Sequence, residues 1–171
     1  NTQDSEAAYN VKASSDGKQK TTYGYKAHIA VEEDGLIKAS AFTAGNDHDS
    51  QCLIPLRAGT EAAWYADSAY KSAKYDALLA ETGTKNCILE RAYRNRPLTV
   101  QQKKRNRQHS AIRCIVERVF GVLKLHYGMG QARYLGLARN YTRFGLMCIA
   151  YNLKRGVAIL RDLQNGQESC A

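Results

Sequence analysis

The chain is organised around a regular pattern of apolar positions between Ser110 and Tyr127. Apolar residues recur there at i, i+3, i+4, i+7, i+8 and i+11, which predicts one helix with a buried stripe. The stripe consists of Ile112, Ile115, Val116, Val119, Phe120 and Leu123. At about 100° per residue, Arg113, Glu117 and Lys124 fall within roughly 40° of one another beside it. Taken alone, this polar row is typical of a solvated face with one Arg–Glu pair.

A second pattern, of period two, lies in the first third of the chain. Residues Gly24 to Glu33 alternate between apolar and polar positions, which predicts a half-buried strand. Glu33-Asp34-Gly35 supplies turn residues, and Leu36 to Thr43 is the predicted returning strand of a hairpin. His28 lies on the more polar face of the first strand, where a single histidine is more often structural than a ligand.

Two short apolar runs predict buried strands further along. Ala62 to Ala66 is followed at once by Asp67, and Asn86 to Glu90 forms the second run. The residues between them, Ser68 to Thr82, have a helical pattern. This order of elements predicts a mixed α/β fold with a partly parallel sheet.

Two further helices are predicted on either side of these elements. A short one, capped by Asp49 or Ser50, carries the apolar residues from Cys52 to Leu56. A long one covers the strongly apolar stretch from Tyr141 to Leu160 and packs on the domain. We expect the last ten residues, which are polar, to be frayed.

Composition adds a bias towards anionic partners. The 171 residues, 44% of them hydrophobic, suffice for one domain with a real core. The net charge of +9 favours nucleic acid as partner. No apolar run approaches the length of a membrane span, and no signal peptide begins the chain, so we expect a cytoplasmic protein without membrane contact. The five cysteines, scattered and never spaced as CxxC, indicate reduced thiols.

The positive charge is concentrated before the central helix. Residues 91–107 contain seven Lys or Arg and no acid, and Pro97 interrupts helix there. This run is either a solvated loop or a phosphate-contacting segment. The cations nearest the helix are Lys103, Lys104, Arg105 and Arg107.

Two acids are candidates for chemistry. Asp67 ends a predicted buried strand, and Glu117 lies at the rim of the packed helix. Ligands of open α/β sheets gather outside the carboxyl ends of strands. Two carboxylates meeting there would suit Mg²⁺ held over a phosphodiester, although many strands also end in an Asp that merely caps a helix.

Several motifs together resemble DDE-type transposases of bacterial insertion sequences. The segment Tyr65-Ala66-Asp67-Ser68-Ala69-Tyr70 looks like the family's strand motif, in which Tyr follows Asp by three residues. Arg113, Glu117 and Lys124 match every spacing of the Y-x2-R-x3-E-x6-K signature, with Ser110 in place of Tyr. Further similar segments, in the family's order, are Gly24–Ile29, Asn46–Ser50 and Arg133–Asn140. The resemblance covers about residues 4 to 156.

The resemblance implies an RNase H-like fold that cuts and rejoins DNA with Mg²⁺ or Mn²⁺. The family's second and third acids fall on Asp67 and Glu117, which are then the catalytic and metal-binding residues. Arg113 and Lys124 would contact DNA phosphates or orient Glu117. Ser110 can donate a hydrogen bond but cannot stack as tyrosine does.

The family's first acid lies on a strand upstream of the hairpin. Asp4, Glu6 and Asp16 have no apolar strand before them, so none is a convincing substitute. We therefore expect an RNase H-like mixed sheet flanked by helices that lacks its first, central strand, with an unpaired edge beside the hairpin. The chain begins at Asn1 and is expected to be a trimmed or truncated C-terminal part.

The predicted organisation is a polar lead-in over residues 1–22, extended or loosely ordered, a partial catalytic domain over 23–130, and a C-terminal helical extension over 131–171. The first functional hypothesis is a transposase, or part of one, acting on transposon ends and target DNA in the bacterial nucleoid, as a homo-oligomer with the full-length protein. The second is a catalytically inactive module that binds DNA or the full-length transposase. The third, a generic RNase H-like nuclease, is less favoured, because the resemblance extends through the C-terminal helix, beyond a minimal nuclease core.

Overall fold

The structure, a computed structural model, describes residues 3–13 and 17–168. The strands in that part are β1 (Ala8–Ala13), β2 (Gln19–Val31), β3 (Ile37–Ala44), β4 (Ala63–Ala66) and β5 (Lys85–Ile88). The α-helices are α1 (Leu53–Leu56), α2 (Ala73–Glu81), α3 (Val100–His126) and α4 (Leu137–Glu168). Asp16 and the last of the five cysteines, Cys170, lie outside the described residues.

The predicted hairpin is present, and β2 is longer than its alternating pattern indicated. β2 pairs antiparallel with β3 along Tyr25–Val31 and with β1 along Gln19–Gly24. β1 lies within the polar lead-in of residues 1–22, which was predicted to be extended or loosely ordered. This part of the lead-in is extended. Its apolar side chains Tyr9 and Val11 are more than half exposed, which explains why no pattern of burial marked this strand.

The two short strands are also present, and they pair in parallel. Ala63 lies beside Lys85 and Ala66 beside Ile88, and α2 crosses over between β4 and β5. The predicted helix over residues 68–82 is divided into a 3-10 turn and α2, because the Ser72 hydroxyl caps α2 by accepting from Tyr75 N.

The cap predicted before α1 was wrong. The 3-10 turn Asp49–Cys52 precedes α1, and its N-cap is His48 rather than Asp49 or Ser50. His48 is the cap because its ring Nδ1 accepts from Ser50 N.

The central helix begins ten residues earlier than its apolar pattern suggested. Thr99 caps α3 by accepting from Gln102 N at 3.2 Å, and Gln102 Oε1 accepts in return from Thr99 N at 2.8 Å. The basic residues from Lys103 to Arg107 therefore lie on a helix rather than in a loop. Val119 and Leu123 of the predicted stripe are buried, but Ile112 is 38% exposed and does not belong to the core.

The last helix, α4, is longer than predicted and packs on the antiparallel sheet. Phe144, Met147 and Cys148 join Ile29 and Leu123 in the main core. The helix continues to Glu168 through part of the segment expected to fray; residues 169–171 lie outside the described part.

Two acids of the lead-in hold the start of α4. Asp4 Oδ2 accepts from Gly136 N at 3.0 Å, and Glu6 Oε2 accepts from Leu137 N at 2.8 Å. Negative groups are favourable where a helix begins, because its first N–H groups have no partner within the helix. Both acids thus have a structural role at the start of α4.

The strands form two small sheets rather than one. Among the described residues, the Tyr25–Val31 segment of β2 pairs only with β3, and β4 pairs only with β5. Each therefore has an unpaired edge, and both strands line the same two cavities. The mixed α/β arrangement is that of an RNase H-like fragment.

The described cysteines are all free thiols. Cys52, Cys87 and Cys148 are buried, and Cys114 is exposed. Burial raises the pKa of the Cys148 thiol to about 11, so it stays protonated at neutral pH.

Candidate functional site

Asp67 follows β4 directly, at the carboxyl end of the strand. Its Oδ1 accepts a hydrogen bond from Ser68 N at 2.5 Å, which caps the short 3-10 turn Ser68–Tyr70. The side chain is 54% exposed, and the cap uses only one of its two oxygens. Capping the turn and binding a ligand are therefore compatible for this residue.

Glu117 approaches the same point from α3. Arg113 Nη2 lies 3.9 Å from Asp67 Oδ2 and 3.9 Å from Glu117 Oε1. Since both oxygens are equally far from one nitrogen, they cannot be separated by more than twice that distance. The structure thus brings together two carboxylates that are fifty positions apart in the sequence.

These residues open into a cavity of about 1110 Å³. Its lining includes Asp67, Arg113, Glu117 and Lys124, together with parts of β2 and β4. Lys124 is exposed, and its Nζ lies 6.0 Å from the centroid of the Phe120 ring. Arg113, Glu117 and Lys124 each carry a charge at the end of a flexible stem. This part of the lining can therefore adapt to a charged ligand.

The remaining predicted cations lie elsewhere. Lys103, Lys104 and Arg107 are exposed on the first half of α3 and are not part of the cavity lining. Arg105 is engaged in an ion pair, with its Nη2 2.8 Å from Glu90 Oε1. This pair holds the pKa of Glu90 below its usual range. Arg105 is therefore less available to an anionic partner than its three neighbours.

Further polar side chains, Lys26, His28 and Asp49, line the same cavity, and among them Lys26 was not considered as a site residue from the sequence. Lys26 Nζ lies 3.0 Å from Asp49 Oδ1 and donates to the main-chain oxygen of Asp47 at 2.6 Å. His28 is 7% exposed, its Nε2 lies 3.2 Å from Thr43 Oγ1, and burial lowers its pKa. These contacts tie β2 to β3 and to the following turn, which agrees with the structural interpretation of His28. The sequence signals for this group were the two family-like segments Gly24–Ile29 and Asn46–Ser50.

The two carboxylates offer the kind of ligand that Mg²⁺ and Mn²⁺ bind. Both have exposed oxygens, and hard divalent cations prefer carboxylate oxygen. Among the described residues, no group of three or more His, Cys, Asp or Glu side chains could hold a metal ion. The chemistry of Asp67 and Glu117 fits a cation that would complete its shell with water and substrate oxygens.

The fold and this cleft define a class of protein, namely an RNase H-like fragment with two carboxylates at a strand end and a helix rim. The family described as "Transposase DDE domain" matches residues 3–153, and the chain belongs to this family.

A curated relative matches as well. The chain is 36% identical over 132 residues to a transposase for insertion sequence element IS1106 of Neisseria meningitidis serogroup B. The matched segment is 76% of this chain and 46% of the relative, so the chain spans less than half the length of that protein. No solved structure matched the chain.

Within the described residues, none of the helices combines the length and the apolar character that crossing a bilayer requires.

Proposed function

We propose that this chain carries the second and third carboxylates of a transposase active site that cuts and joins double-stranded DNA. The observation that supports this most is the meeting of Asp67 and Glu117 around Arg113, each carboxylate oxygen 3.9 Å from the same nitrogen. Membership of the DDE transposase family supports the same reaction class.

Asp67 and Glu117 would hold Mg²⁺ or Mn²⁺. When bound, the ion would stabilise negative charge on the phosphate oxygens during an in-line displacement. Arg113 spaces the two carboxylates in the free protein and is placed to turn towards a DNA phosphate. Lys124, on the same side of α3, offers a second cation to the DNA backbone.

The DNA path extends along α3 beyond the cleft. The exposed side chains of Lys103, Lys104 and Arg107 form a basic stretch that suits the phosphates flanking a cut site. The partners on this proposal are transposon ends, target DNA and full-length transposase in a homo-oligomer. Its place of action is the bacterial nucleoid.

We further propose that the remaining carboxylate of the site, the family's first acid, lies on a strand seated between β2 and β4. The unpaired edges of these two strands and the cavities that both line support this arrangement. On this proposal the present sequence is one part of the catalytic domain.

A second candidate function is a catalytically inactive module that binds DNA or the full-length transposase. It is favoured by one observation, that the described residues contain no third His, Cys, Asp or Glu beside Asp67 and Glu117 that could complete a metal site.

Manganese binding tests the site assignment directly. We expect one weak Mn²⁺ site in the wild-type chain by electron paramagnetic resonance, lost in both Asp67→Asn and Glu117→Gln. Asparagine retains an oxygen that can accept from Ser68 N, so the cap survives while the charge is removed. Glu81→Gln, a change of the same kind on the exposed end of α2, is the matched control. Equal Mn²⁺ binding by all four proteins would refute the assignment.

A further inference from the structure

The loop that joins β5 to α3 is rich in unpaired donors. Residues 91–98, which we call the arginine loop, contain three arginines and no acid. Its exposed residues include Arg91, Tyr93, Arg94, Asn95 and Arg96. Among the described residues, none offers an ion pair or a hydrogen bond to the side chains of Asn95 and the three arginines. Their donors are therefore available to a ligand, unlike those of Arg105, which pairs with Glu90.

Both ends of the arginine loop are held by α3. Glu90, directly before the loop, accepts from Gln102 Nε2 and from Arg105 Nη2, each at 2.8 Å. Its main-chain oxygen also accepts from Asn106 Nδ2 at 2.9 Å. Thr99, directly after the loop, is fixed by its capping box with Gln102. A loop ordered in this way before binding loses less conformational freedom when it meets a ligand.

The tip of the loop is closed as a tight turn. Tyr93 N donates to the main-chain oxygen of Arg96 at 3.2 Å, and Arg96 N donates back to that of Tyr93 at 3.0 Å. Arg94 and Asn95 are therefore the two residues at the tip. The major groove of B-DNA is about 12 Å wide and admits a two-stranded β-ribbon, so a turn of this kind fits into it.

The arginine loop leaves the parallel sheet at the edge where Asp67 lies. β4 and β5 run in the same direction, and Leu89 N donates to the main-chain oxygen of Ala66 at 3.0 Å. Asp67 and Leu89 are thus neighbours, each directly after its strand. DNA held at the proposed carboxylate site therefore reaches the start of the loop.

We propose that the tip of the arginine loop reads base edges in the major groove and so selects the DNA sequence. Arg94 donates two hydrogen bonds to O6 and N7 of a guanine, and Asn95 donates to N7 and accepts from the N6 amino group of an adenine. Contacts to phosphates, by contrast, position a protein on DNA without reading its sequence. Lysines such as Lys103 and Lys104 suit phosphates as point charges, whereas the planar fork of arginine suits guanine. The inference rests on the proposed function, which supplies DNA as the partner.

Selection from a pool of randomised duplexes tests this proposal. We expect the 171-residue chain to enrich a sequence with a guanine and an adenine at defined positions. Arg94→Lys keeps the net charge but removes the fork. It should reduce the preference for the selected duplex over a scrambled one by about tenfold or more, with an unchanged dependence of affinity on salt. Asn95→Ala should remove the preference at a different base position.

Arg161→Lys, the same substitution at an exposed position of α4, is the matched control and should retain the full preference. A guanine analogue that lacks the N7 acceptor, placed at the selected guanine, should weaken binding by the wild type but not by Arg94→Lys.

Two results would overturn the proposal while leaving DNA as the partner. One is duplex binding by the wild type without any sequence preference, and the other is an unchanged preference in both loop variants. A wild-type chain that binds no duplex would refute the DNA partner of the proposed function, and this inference with it. Mn²⁺ binding by the same samples reports separately on Asp67 and Glu117.

Discussion

Arg113 shows, at the scale of single residues, how the candidate site is held in the free protein. Its guanidinium lies at the same distance from Asp67 and Glu117, and its side chain is only 23% exposed. Two carboxylates this close would otherwise repel each other. We infer that the cation keeps the pair together until another positive group replaces it.

Asp4 is the residue whose ionisation has the clearest structural consequence. The hydrogen bond from the Tyr25 hydroxyl, 2.6 Å long, and a second one from Gly136 N hold the pKa of this carboxyl below its usual range. A carboxyl with a lowered pKa in the folded state stabilises the fold above its unfolded-state pKa of about 3.9. That contribution is lost as the pH falls through the folded-state pKa.

We therefore predict that Asp4→Asn lowers the urea midpoint of unfolding at neutral pH. The difference from the wild type should shrink as the pH falls below about 4, because the wild-type carboxyl then becomes neutral too. Urea titrations at a series of pH values measure this. Asp162→Asn, an exposed acid on α4, is the control and should change little. A difference that persists unchanged at acidic pH would show that Asp4 acts through its shape rather than its charge.

At the scale of elements, α3 has two functions along its length. Its second half packs Val119 and Leu123 into the core and presents Arg113, Glu117 and Lys124 to the cleft. Its first half is basic and exposed, and it starts at a capping box. Since one rigid helix joins the two halves, the basic stretch and the carboxylates keep a fixed spacing of about 1.5 Å per residue.

We predict that Lys103→Gln/Lys104→Gln/Arg107→Gln makes DNA binding less sensitive to salt. Each lost phosphate contact should reduce the slope of log affinity against log salt by about 0.9, so three contacts would remove between about 2 and 3. Arg105 is left intact because it pairs with Glu90. Fluorescence anisotropy with duplex DNA at several salt concentrations provides the slope.

The control for this triple variant removes the same charge elsewhere. Lys74, Lys154 and Arg161 are exposed on α2 and α4, on helices other than α3. Their replacement by glutamine should lower the slope much less. Equal slopes for the two triple variants would mean that net charge alone attracts DNA and that the basic stretch has no special role.

At the scale of the whole molecule, the most informative feature is the separation of the two sheets. β2 and β4 each have one unpaired edge among the described residues, and the cavities between them are lined by apolar parts of both strands. Unpaired edges of this kind attract further strands. A strand inserted there would join the two sheets, and if it ran parallel to β4 its carboxyl end would lie beside Asp67.

We predict that the 171-residue chain alone does not cut or join DNA at a useful rate. A flexible linker carrying an apolar strand that ends in Asp, fused ahead of Asn1, should restore both fold stability and metal-dependent strand transfer. That activity should disappear with Asp67→Ala or Glu117→Ala. Thermal unfolding and a strand-transfer assay on transposon-end DNA report the two effects.

The same fusion ending in Asn separates these effects. It should stabilise the fold as well as the Asp version, because the strand itself is unchanged, yet it should remain inactive. Metal-dependent cleavage by the unfused chain, abolished by Glu117→Gln, would show instead that this sequence already contains every acid it needs.

The sequence by itself determined which segments become helices and strands wherever burial is periodic. The alternation from Gly24 to Glu33 located a strand, although His28 on its polar face is as buried (7% exposed) as Ile29 on the other face (8%). The stripe from Ile115 to Leu123 located the buried face of α3. The hydrophobic pattern did not detect segments whose side chains are mostly exposed. β1 exposes Tyr9 and Val11, and the first ten residues of α3 are polar apart from the exposed Val100, so neither had an apolar period to detect. The start of α3 was nevertheless encoded locally, in the capping pair Thr99 and Gln102.

Only the tertiary structure decided which residues and strand edges come into contact. Asp67 and Glu117 were each candidates from their local setting, but their common contact with Arg113 depends on how β4 packs against α3. The capping of α4 by Asp4 and Glu6 joins residues more than 130 positions apart. The division into two sheets depends likewise on which strand edges find partners. Local patterns record whether a side chain is buried, whereas the identity of its neighbour is set by chain segments far away in the sequence.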